Sequence, residues 1–521
     1  MPIFTPGRRW QPAYYPFRKT TMSEKIFTWV ERTVKGPLFG CRMCGNCTLQ
    51  ETALICAMAC PKGIKNGPCG GSLPERCYVD TSRPCIWYHI YDRSFKMGRE
   101  EHLLEVLPPL DWEKVGLEQW SGVSKQLKKI GVRKFFVGMF SRDVKKRAET
   151  WDSVFVPLRQ PDWWQGDAKY HPPTYSEPVS NLERKLKSGE FVVTVELAPP
   201  LTVSTKKLAQ TIETVKPYVA AINFTDNPSA TPRMANIACC AVAIQLGAEP
   251  TMQMAARDRT RVNLQSDVIS ASAIGVRNIV CFSGDSMRMS PGPRGRMDAL
   301  DMDAIQMLWI LRRMRDDQKY LDGRAIKFPP QYFLGAAASP FASNPRFQAL
   351  REQKKVNAGA QFFQTNLIYD PDRFEVWLNE IAKRNLLDKV YILAGITPLK
   401  SLKMARFMNS EVPGVNVPQK LLDRMEAAGD GAEEEGIRIA LELIEALRKK
   451  QGIHGIHLMP VNWEEITPRI VTEAGLLPPD FVIPEKRDAS LSHSLSQPVA
   501  IPTGVIIPSE PVKVARAKIN E

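Results

Sequence analysis

The chain has 521 residues, of which 44% are apolar, and this length predicts two or three domains with ample material for hydrophobic cores. Its formal net charge of +14 favours anionic partners. The sequence shows no RNP, zinc-finger or basic-helix motif, so we do not expect nucleic acid as a partner. No apolar run approaches the roughly 20 residues needed to span a bilayer, and the N-terminal stretch lacks the apolar core of a signal peptide. These features predict a protein of the reducing cytoplasm.

The N-terminal part of the chain combines a short arm with a dense group of cysteines. Residues 1–21 are rich in Pro, Arg and aromatic side chains and predict a disordered arm. Residues 22–156 are the predicted cysteine-rich, metal- or cluster-binding domain, because eight of the 11 cysteines fall between positions 41 and 85. The eight predicted ligands are Cys41, Cys44, Cys47, Cys56, Cys60, Cys69, Cys77 and Cys85.

Three explanations compete for this cysteine-rich segment, residues 41–85. Disulfides are disfavoured, because no secretory signal precedes the segment and the chain is long enough to form a core without them. Structural zinc usually takes its four thiolates from two separated Cys-x2-Cys pairs, whereas Cys41-x2-Cys44-x2-Cys47 is one tight run. Tight runs followed by a Cys-Pro dipeptide, as at Cys60, are typical of iron–sulfur proteins. The pattern favours at least one [4Fe–4S] cluster, with zinc as the alternative, and leaves the number of clusters open.

Three further stretches, residues 133–141, 157–184 and 485–521, have weaker sequence patterns. Residues 133–141, RKFFVGMFS, predict a strand. Residues 157–184 are rich in Pro and aromatic residues and predict a linker that lies against a neighbouring surface. Residues 485–521 are rich in Ser and Pro, lack a core-forming pattern and predict a disordered tail.

Residues 185–484 alternate between apolar runs and helix-like stretches. Eight buried strands that alternate with helices predict an α/β fold, the (β/α)8 or TIM barrel, which here follows a small cysteine-rich domain. The eight runs are residues 191–197, 218–224, 250–255, 278–284, 332–338, 361–367, 390–396 and 455–461.

Polar side chains lie at the ends of most of these predicted strands. Because the C-terminal ends of barrel strands meet at one rim, where catalysis occurs in this fold, we expect these side chains to form a common site. They are Glu196, Thr225, Asp226, Asn227, Gln253, Arg257, Asp258, Arg259, Asp285, Gln364, Thr365 and Asn366.

Six short motifs at the strand ends resemble the barrel of methylenetetrahydrofolate reductases. They read VELAPP, INFTDN, ARDRTR, FSGD, FFQTN and ILAGITP, in chain order. The cysteine-rich segment, with NGPCGG at residues 66–71, resembles the small companion domain or subunit of the acetogen-type reductases. The resemblance implies a flavin-dependent enzyme that interconverts 5,10-methylenetetrahydrofolate and 5-methyltetrahydrofolate, with the cysteine-rich domain fused N-terminal to the barrel.

The resemblance also implies roles for individual residues. Glu196 matches the acid that protonates the folate nitrogen as the methylene bridge opens. Asp285 matches the carboxylate between flavin and pterin, and Asn366 lies where many relatives have a Gln that contacts the pterin. The residues that match flavin contacts are Thr225, Asn227, Gln253, Arg257, Arg259 and Lys355, with the two arginines as ligands of the flavin phosphate.

A cluster and a flavin in one chain imply a path for electrons. Hydride transfer needs two electrons at once, a cluster supplies one at a time, and flavin converts between the two. We therefore expect FAD or FMN in the barrel and electrons relayed through the cluster from an electron-transfer protein or complex, in an oligomeric protein. One alternative is an NAD(P)H-dependent reductase with structural zinc. Another is a non-catalytic subunit that docks an electron-transfer complex.

Overall fold

A computed structural model of the protein describes residues 20–118, 129–139, 141–143, 145–146, 149–150, 160–292, 300–342, 344–412, 414–479 and 481–482. The chain up to Phe481 forms one compact unit. All but the last two residues of the predicted arm, and the whole of the predicted tail, lie outside the described residues. Among the helices described, none is both long enough and apolar enough to cross a bilayer.

Eight parallel strands close into a barrel in chain order, with the first strand paired to both the second and the last. This topology confirms the predicted barrel, and each observed strand lies inside the apolar run that predicts it. The strands are β1 (Val192–Leu197), β2 (Ala221–Phe224), β3 (Pro250–Ala255), β4 (Asn278–Phe282), β5 (Phe333–Ala338), β6 (Phe362–Leu367), β7 (Tyr391–Ile396) and β8 (Gly455–Leu458).

Helices connect successive strands and cover the outside of the barrel, which is why the strands are apolar on both faces. Many of these helices begin at a polar side chain that accepts a hydrogen bond from the first turn, as Thr260 and Ser401 do. The helices are α1 (Met22–Phe39), α2 (Ile86–Lys96), α3 (Val132–Met139), α4 (Asn181–Lys187), α5 (Lys206–Val215), α6 (Asn236–Gln245), α7 (Arg261–Ala273), α8 (Ala304–Arg312), α9 (Pro345–Asn357), α10 (Pro371–Lys383), α11 (Leu402–Glu411), α12 (Gln419–Ala427), α13 (Ala432–Arg448) and α14 (Thr467–Glu473).

Apolar side chains fill the barrel interior near the N-terminal ends of the strands. Phe333 and Phe362 stack there with ring centroids 4.6 Å apart. Leu182 and Leu186 of α4 pack against the same cluster from below. This packing closes the barrel interior at the N-terminal ends of the strands, and the C-terminal ends are where this fold places its sites.

The cysteine-rich segment and the helix that follows it pack against the outer helices of the barrel. Tyr88 and Tyr91 of α2 share an apolar cluster with Leu350 of α9, and Phe347 packs against it. The hydroxyl of Tyr88 also accepts a hydrogen bond of 3.0 Å from Gln348 Nε2. The segment and the barrel are therefore joined by buried contacts as well as by the chain.

Asp303 connects the segment to the barrel through a buried carboxylate. Its Oδ2 accepts hydrogen bonds from the backbone N–H groups of Lys65, at 3.1 Å, and Asn66, at 2.9 Å, and a third from Asn66 Nδ2. Its Oδ1 accepts from Ile305 N and Gln306 N, which caps α8. One side chain thus satisfies donors on both sides of the interface.

Replacing Asp303 by Ala is expected to lower the free energy of unfolding by about 3 kcal/mol, because it removes a helix cap and leaves buried donors unpaired. Chemical denaturation measures the loss. Asp370→Ala is the matched control, since Asp370 caps α10 by accepting from Arg373 N at 3.0 Å, and we expect a loss of about 1 kcal/mol there. Equal losses in the two variants would show that the contacts to the segment contribute nothing.

The structure describes parts of two stretches outside the barrel for which the sequence made a prediction, residues 133–141 and the linker. The strand predicted at residues 133–141 is wrong, because Val132–Met139 is helical. The described part of the predicted linker lies against α8. Trp164 is fully buried, and its ring centroid is 6.4 Å from that of Trp309 in α8. The Nε1 of Trp164 donates a hydrogen bond of 2.8 Å to Val106 O. Its aromatic residues therefore pack against the core.

Candidate functional site

A cavity of about 310 Å³ opens at the C-terminal ends of the strands. Both the barrel and the cysteine-rich segment line it, the segment with Lys62, Cys69 and Tyr78 among others. The predicted barrel residues that line the cavity are Glu196, Gln253, Asp285, Lys355, Gln364, Thr365 and Asn366.

Glu196 is held at the end of β1 by two neighbours. Its Oε2 accepts a hydrogen bond of 2.7 Å from Gln253 Nε2 and lies 3.5 Å from His457 Nε2. The other ring nitrogen of His457 lies 2.9 Å from the hydroxyl of Thr194. The Glu196 side chain is still 24% exposed. It is therefore oriented by the protein while remaining open to a ligand in the cavity, which suits a group that transfers a proton.

His457 lines the cavity and was not predicted from the sequence, whereas Gln364, which also lines it, was among the predicted strand-end residues. Gln364 exchanges hydrogen bonds of 2.6 and 3.1 Å with Asn223, one in each direction. Asn366, two residues further along, accepts a hydrogen bond of 2.9 Å from the N–H of Leu367 through its own Oδ1. The floor of the cavity is thus made of paired amide and imidazole groups.

Asp285 lies in the loop after β4, and its two oxygens have different neighbours. Oδ2 accepts a hydrogen bond of 2.7 Å from the N–H of Ser229, in the loop after β2. Oδ1 is 3.4 Å from the hydroxyl of Tyr78, in the cysteine-rich segment. The preceding residue, Gly284, has φ +79°, a conformation that favours glycine. Asp285 and Glu196 therefore line one cavity from different strands, as the sequence predicts.

The two predicted phosphate ligands lie outside the residues that line this cavity. Arg257 makes hydrogen bonds of 2.8 and 2.6 Å to the carboxylate of Asp258. Arg259 pairs with Asp226 and donates to Asp267 at 3.0 Å. Each guanidinium is thus paired with a neighbouring carboxylate, and their role at a flavin phosphate stays a prediction.

The other predicted flavin contacts differ in how well their polar atoms are satisfied. The hydroxyl of Thr225 is buried and has no hydrogen-bond partner among the described residues. Asn227 has a left-handed backbone, with φ 46°, and its Oδ1 accepts from Arg233 N at 3.1 Å. Neither residue is among those that line the cavity, so the role of Thr225 and Asn227 at a flavin stays a prediction.

Lys355 is a buried cation at the wall of the cavity. Its Nζ donates to Ala337 O at 2.6 Å and pairs with Glu352 at 2.5 Å. Burial, with a smaller contribution from the charge of Arg351, lowers the pKa of Lys355 to about 8. An anionic ligand nearby would favour the charged form of this lysine.

The eight clustered cysteines separate into two groups of four. The first group lines a small second cavity and consists of Cys41, Cys44, Cys47 and Cys56. Burial raises the pKa of Cys56, and the charges of the other three thiols raise it further, so the four sulfurs lie close together. Lys35, which is 1% exposed, donates to Cys47 Sγ at 3.4 Å.

The second group lies nearer the barrel and consists of Cys60, Cys69, Cys77 and Cys85. Burial and the charge of Cys69 raise the pKa of Cys85 to about 12. Burial, then Cys69 and to a smaller extent Cys77, raise the pKa of Cys60 to about 11. Cys69 also lines the barrel cavity. The second group therefore adjoins the predicted active site.

None of the eight cysteines is in a disulfide. In the part of the chain that the structure describes, no three or more His, Cys, Asp or Glu side chains are placed to hold a single metal ion. The described residues therefore give no support to the predicted zinc site or to the predicted iron–sulfur cluster, and both stay predictions.

The fold and the cavity define a (β/α)8-barrel protein with a ligand site at the C-terminal ends of its strands. The family model described as methylenetetrahydrofolate reductase matches residues 181–475, more than half of the chain. The chain belongs to the methylenetetrahydrofolate reductase family. A second family model, described as the C terminal part of methylenetetrahydrofolate reductase, matches residues 20–113, which include all eight clustered cysteines.

Two of the curated relatives that the chain matches come from fission yeast. Methylenetetrahydrofolate reductase 2 of Schizosaccharomyces pombe is 26% identical over 258 residues, which cover 46% of this chain and 39% of the relative. Methylenetetrahydrofolate reductase 1 of the same organism is 24% identical over 259 residues, 47% of this chain and 40% of the relative. The chain thus spans about two fifths of the length of these relatives.

A solved structure also aligns with the chain. It is that of an uncharacterised protein from Clostridium thermocellum, described as binding two copies of 5-methyl-5,6,7,8-tetrahydrofolic acid. The alignment covers 57% of this chain and 97% of the other, with 17% identity and a TM-score of 0.41.

Proposed function

We propose that the protein is a methylenetetrahydrofolate reductase of the acetogen type, which interconverts 5,10-methylenetetrahydrofolate and 5-methyltetrahydrofolate in the reducing cytoplasm. Its membership of the reductase family supports this function. The observation that carries the proposal is that Glu196 and Asp285, from different strands, line one cavity at the barrel rim. A proton donor and a second carboxylate around one ligand are what this reaction needs.

The residues around the cavity fit a flavin, FAD or FMN. Lys355 lines the cavity, and its ammonium group suits the negative charge of a flavin. Thr225 and Asn227 lie outside the residues that line the cavity, so the resemblance alone assigns them to the flavin. Gln253, as well as orienting Glu196, faces the same cavity. A bound flavin would supply the hydride.

Glu196 is the proposed acid of the reduction. It gives a proton to the bridging nitrogen as the bond from that nitrogen to the methylene carbon breaks, and the resulting iminium carbon accepts the hydride. The proton and the hydride together account for the two hydrogens gained by the product. Hydrogen bonding to Gln253 and proximity to His457 hold the carboxyl group toward the cavity for this transfer.

Asp285 is proposed to hold the pterin. A carboxylate accepts hydrogen bonds from the N–H groups at the edge of a pterin ring, and Asp285 faces the cavity with one oxygen fixed by Ser229 N. Asn366 and Gln364, on β6, offer further polar groups to the same ligand.

Gly284→Ala is expected to lower kcat/KM for the folate at least about tenfold, because the added Cβ would lie 3.0 Å from Ala255 Cβ and 3.1 Å from Arg257 Cβ and would move Asp285. Steady-state kinetics measures it. Gly247→Ala is the matched control: its φ of +72° gives similar backbone strain, but no atom lies within 4 Å of the new Cβ. A control that lost as much kcat/KM would show that strain alone, and not the position of Asp285, is responsible.

We further propose that the two cysteine groups hold iron–sulfur clusters. A cluster is larger than an ion, so its thiolates surround a volume and do not converge on one point. Four thiols around one small cavity, one buried and three partly buried, fit this requirement in the first group. Because Cys69 belongs to the second group and lines the barrel cavity, that group is the proposed last step of a relay from an electron-transfer protein or complex.

Anaerobic reconstitution followed by measurement of iron, zinc and flavin tests the proposal. We expect flavin and iron, and oxidation of 5-methyltetrahydrofolate with an artificial acceptor. Assays with NADH, NADPH and reduced ferredoxin then identify the donor. Rapid bleaching of the flavin by NADH, with zinc in place of iron, would favour the NAD(P)H-dependent alternative, and flavin-free protein without activity would favour a docking subunit.

A further inference from the structure

The cysteine-rich segment reaches the barrel cavity with two side chains, Lys62 and Tyr78. Lys62 Nζ donates to the carbonyl oxygen of Gly284 at 2.9 Å, and the hydroxyl of Tyr78 lies 3.4 Å from Asp285 Oδ1. The two side chains also contact each other, with Lys62 Nζ 5.1 Å from the centroid of the Tyr78 ring. Both contacts therefore fall on consecutive residues of one barrel loop, the loop that carries Asp285.

The position of Tyr78 depends on the second cysteine group. Its backbone N–H donates to Ser72 Oγ at 3.1 Å, and that hydroxyl lies 3.2 Å from Cys69 Sγ. Its neighbour Cys77 is held by a backbone bond of 2.8 Å to Arg83 O. The backbone conformation around the second cysteine group thus determines where the Tyr78 side chain contacts the barrel.

The phenol suits the task of holding a carboxylate. A phenol keeps its proton at neutral pH, so the hydroxyl of Tyr78 is a donor that has Asp285 Oδ1 at 3.4 Å and Met289 Sδ at 3.0 Å within reach. The second oxygen of Asp285 is bound by Ser229 N. The two contacts come from different segments, Tyr78 from the cysteine-rich segment and Ser229 from the loop after β2, and together they limit rotation of the carboxylate.

We propose that Tyr78 is a positioning residue for the folate site, through which the cysteine-rich segment fixes the carboxylate of Asp285, with Lys62 holding the adjacent carbonyl group. This inference rests on the proposed function, since it assigns Asp285 to the pterin. It means that the barrel needs the segment for substrate binding, in addition to any transfer of electrons.

The test compares Tyr78→Phe with Tyr88→Phe in the full-length protein. Tyr88 is the matched control, because its hydroxyl also bonds to a barrel residue, Gln348, but does so outside the cavity. Binding of 5-methyltetrahydrofolate is measured by titration calorimetry, and kcat/KM by steady-state kinetics. We expect Tyr78→Phe to weaken both about tenfold, as for loss of a hydrogen bond to a charged group, and Tyr88→Phe to leave both within twofold.

A double-mutant cycle separates positioning from a general structural effect. If Tyr78 acts through Asp285, Tyr78→Phe should have no further effect on folate binding in an Asp285→Asn background. Unchanged binding in Tyr78→Phe, or an equal loss in both backgrounds, would overturn the inference while the wild type still binds folate. A wild-type protein that does not bind folate would instead refute the proposed function, and this inference with it.

Discussion

Replacing Glu196 by Gln is expected to reduce kcat for the folate reaction by at least about 100-fold while folate binding changes little. Gln has nearly the same shape as Glu and can keep a hydrogen bond to Gln253, but it has no acidic proton to give to the folate nitrogen. Because the loss falls on a step of the reaction and spares the binding of the substrate, kcat and kcat/KM should fall together. Steady-state kinetics and calorimetric folate binding measure the two quantities separately.

Glu190→Gln is the control for this variant. Glu190 lies just before β1, at the opposite end of the barrel from Glu196, and pairs with Lys185 at 2.9 Å. The same chemical change there should leave kcat unchanged. If Glu196→Gln kept more than a tenth of the wild-type kcat, the proton would have to come from another group, and the proposed role of Glu196 would be wrong.

Replacing Cys69 and Cys85 together by Ser is expected to abolish reduction of the flavin by a one-electron donor such as reduced ferredoxin. Both residues belong to the cysteine group that adjoins the barrel cavity, and loss of two of four thiolates removes the cluster that we propose there. If each group holds one cluster, the iron content should fall by about half. Iron analysis and stopped-flow absorbance of the flavin measure these effects under anaerobic conditions.

A cysteine outside both groups provides the comparison. Cys239 is buried in α6, and Cys239→Ala should retain full iron and full electron transfer. Circular dichroism of both variants monitors folding. A folded Cys69→Ser/Cys85→Ser protein that contains wild-type iron and accepts electrons at the wild-type rate would refute the relay.

The barrel could be predicted from the sequence because its signal is local. Each strand is a short apolar run of the kind produced when both faces are buried, and the polar residue that ends the run is next to it in the chain. Glu196 and Asp285 could therefore be assigned to one rim. The run at residues 133–141 shows the limit of this signal, because a short apolar stretch fits a helix as well as a strand, and here it is a helix.

Contacts between distant parts of the chain could not be predicted in this way. Tyr78 and Asp285 are 207 residues apart, and nothing in the sequence around either residue indicates the other. The pairing of Arg257 with Asp258 is local, but it could not be predicted either, because an Arg-Asp dipeptide can bind a phosphate or can form its own ion pair. His457 sits inside a predicted strand, but only the closed barrel brings it to Glu196.

The packing of the cysteine-rich segment on α9 has a consequence for how the protein is made. Tyr88 leaves the ribosome 260 residues before Gln348, its partner across the interface. At typical rates of synthesis this interval lasts roughly 10–50 s. During that time α9 has not yet been synthesised, so the cysteine thiols and the aromatic face of α2 are not covered by it. If these thiols hold the proposed clusters, iron delivery and oxidation compete for them during this period, and the supply of iron during translation should then set the yield of active protein.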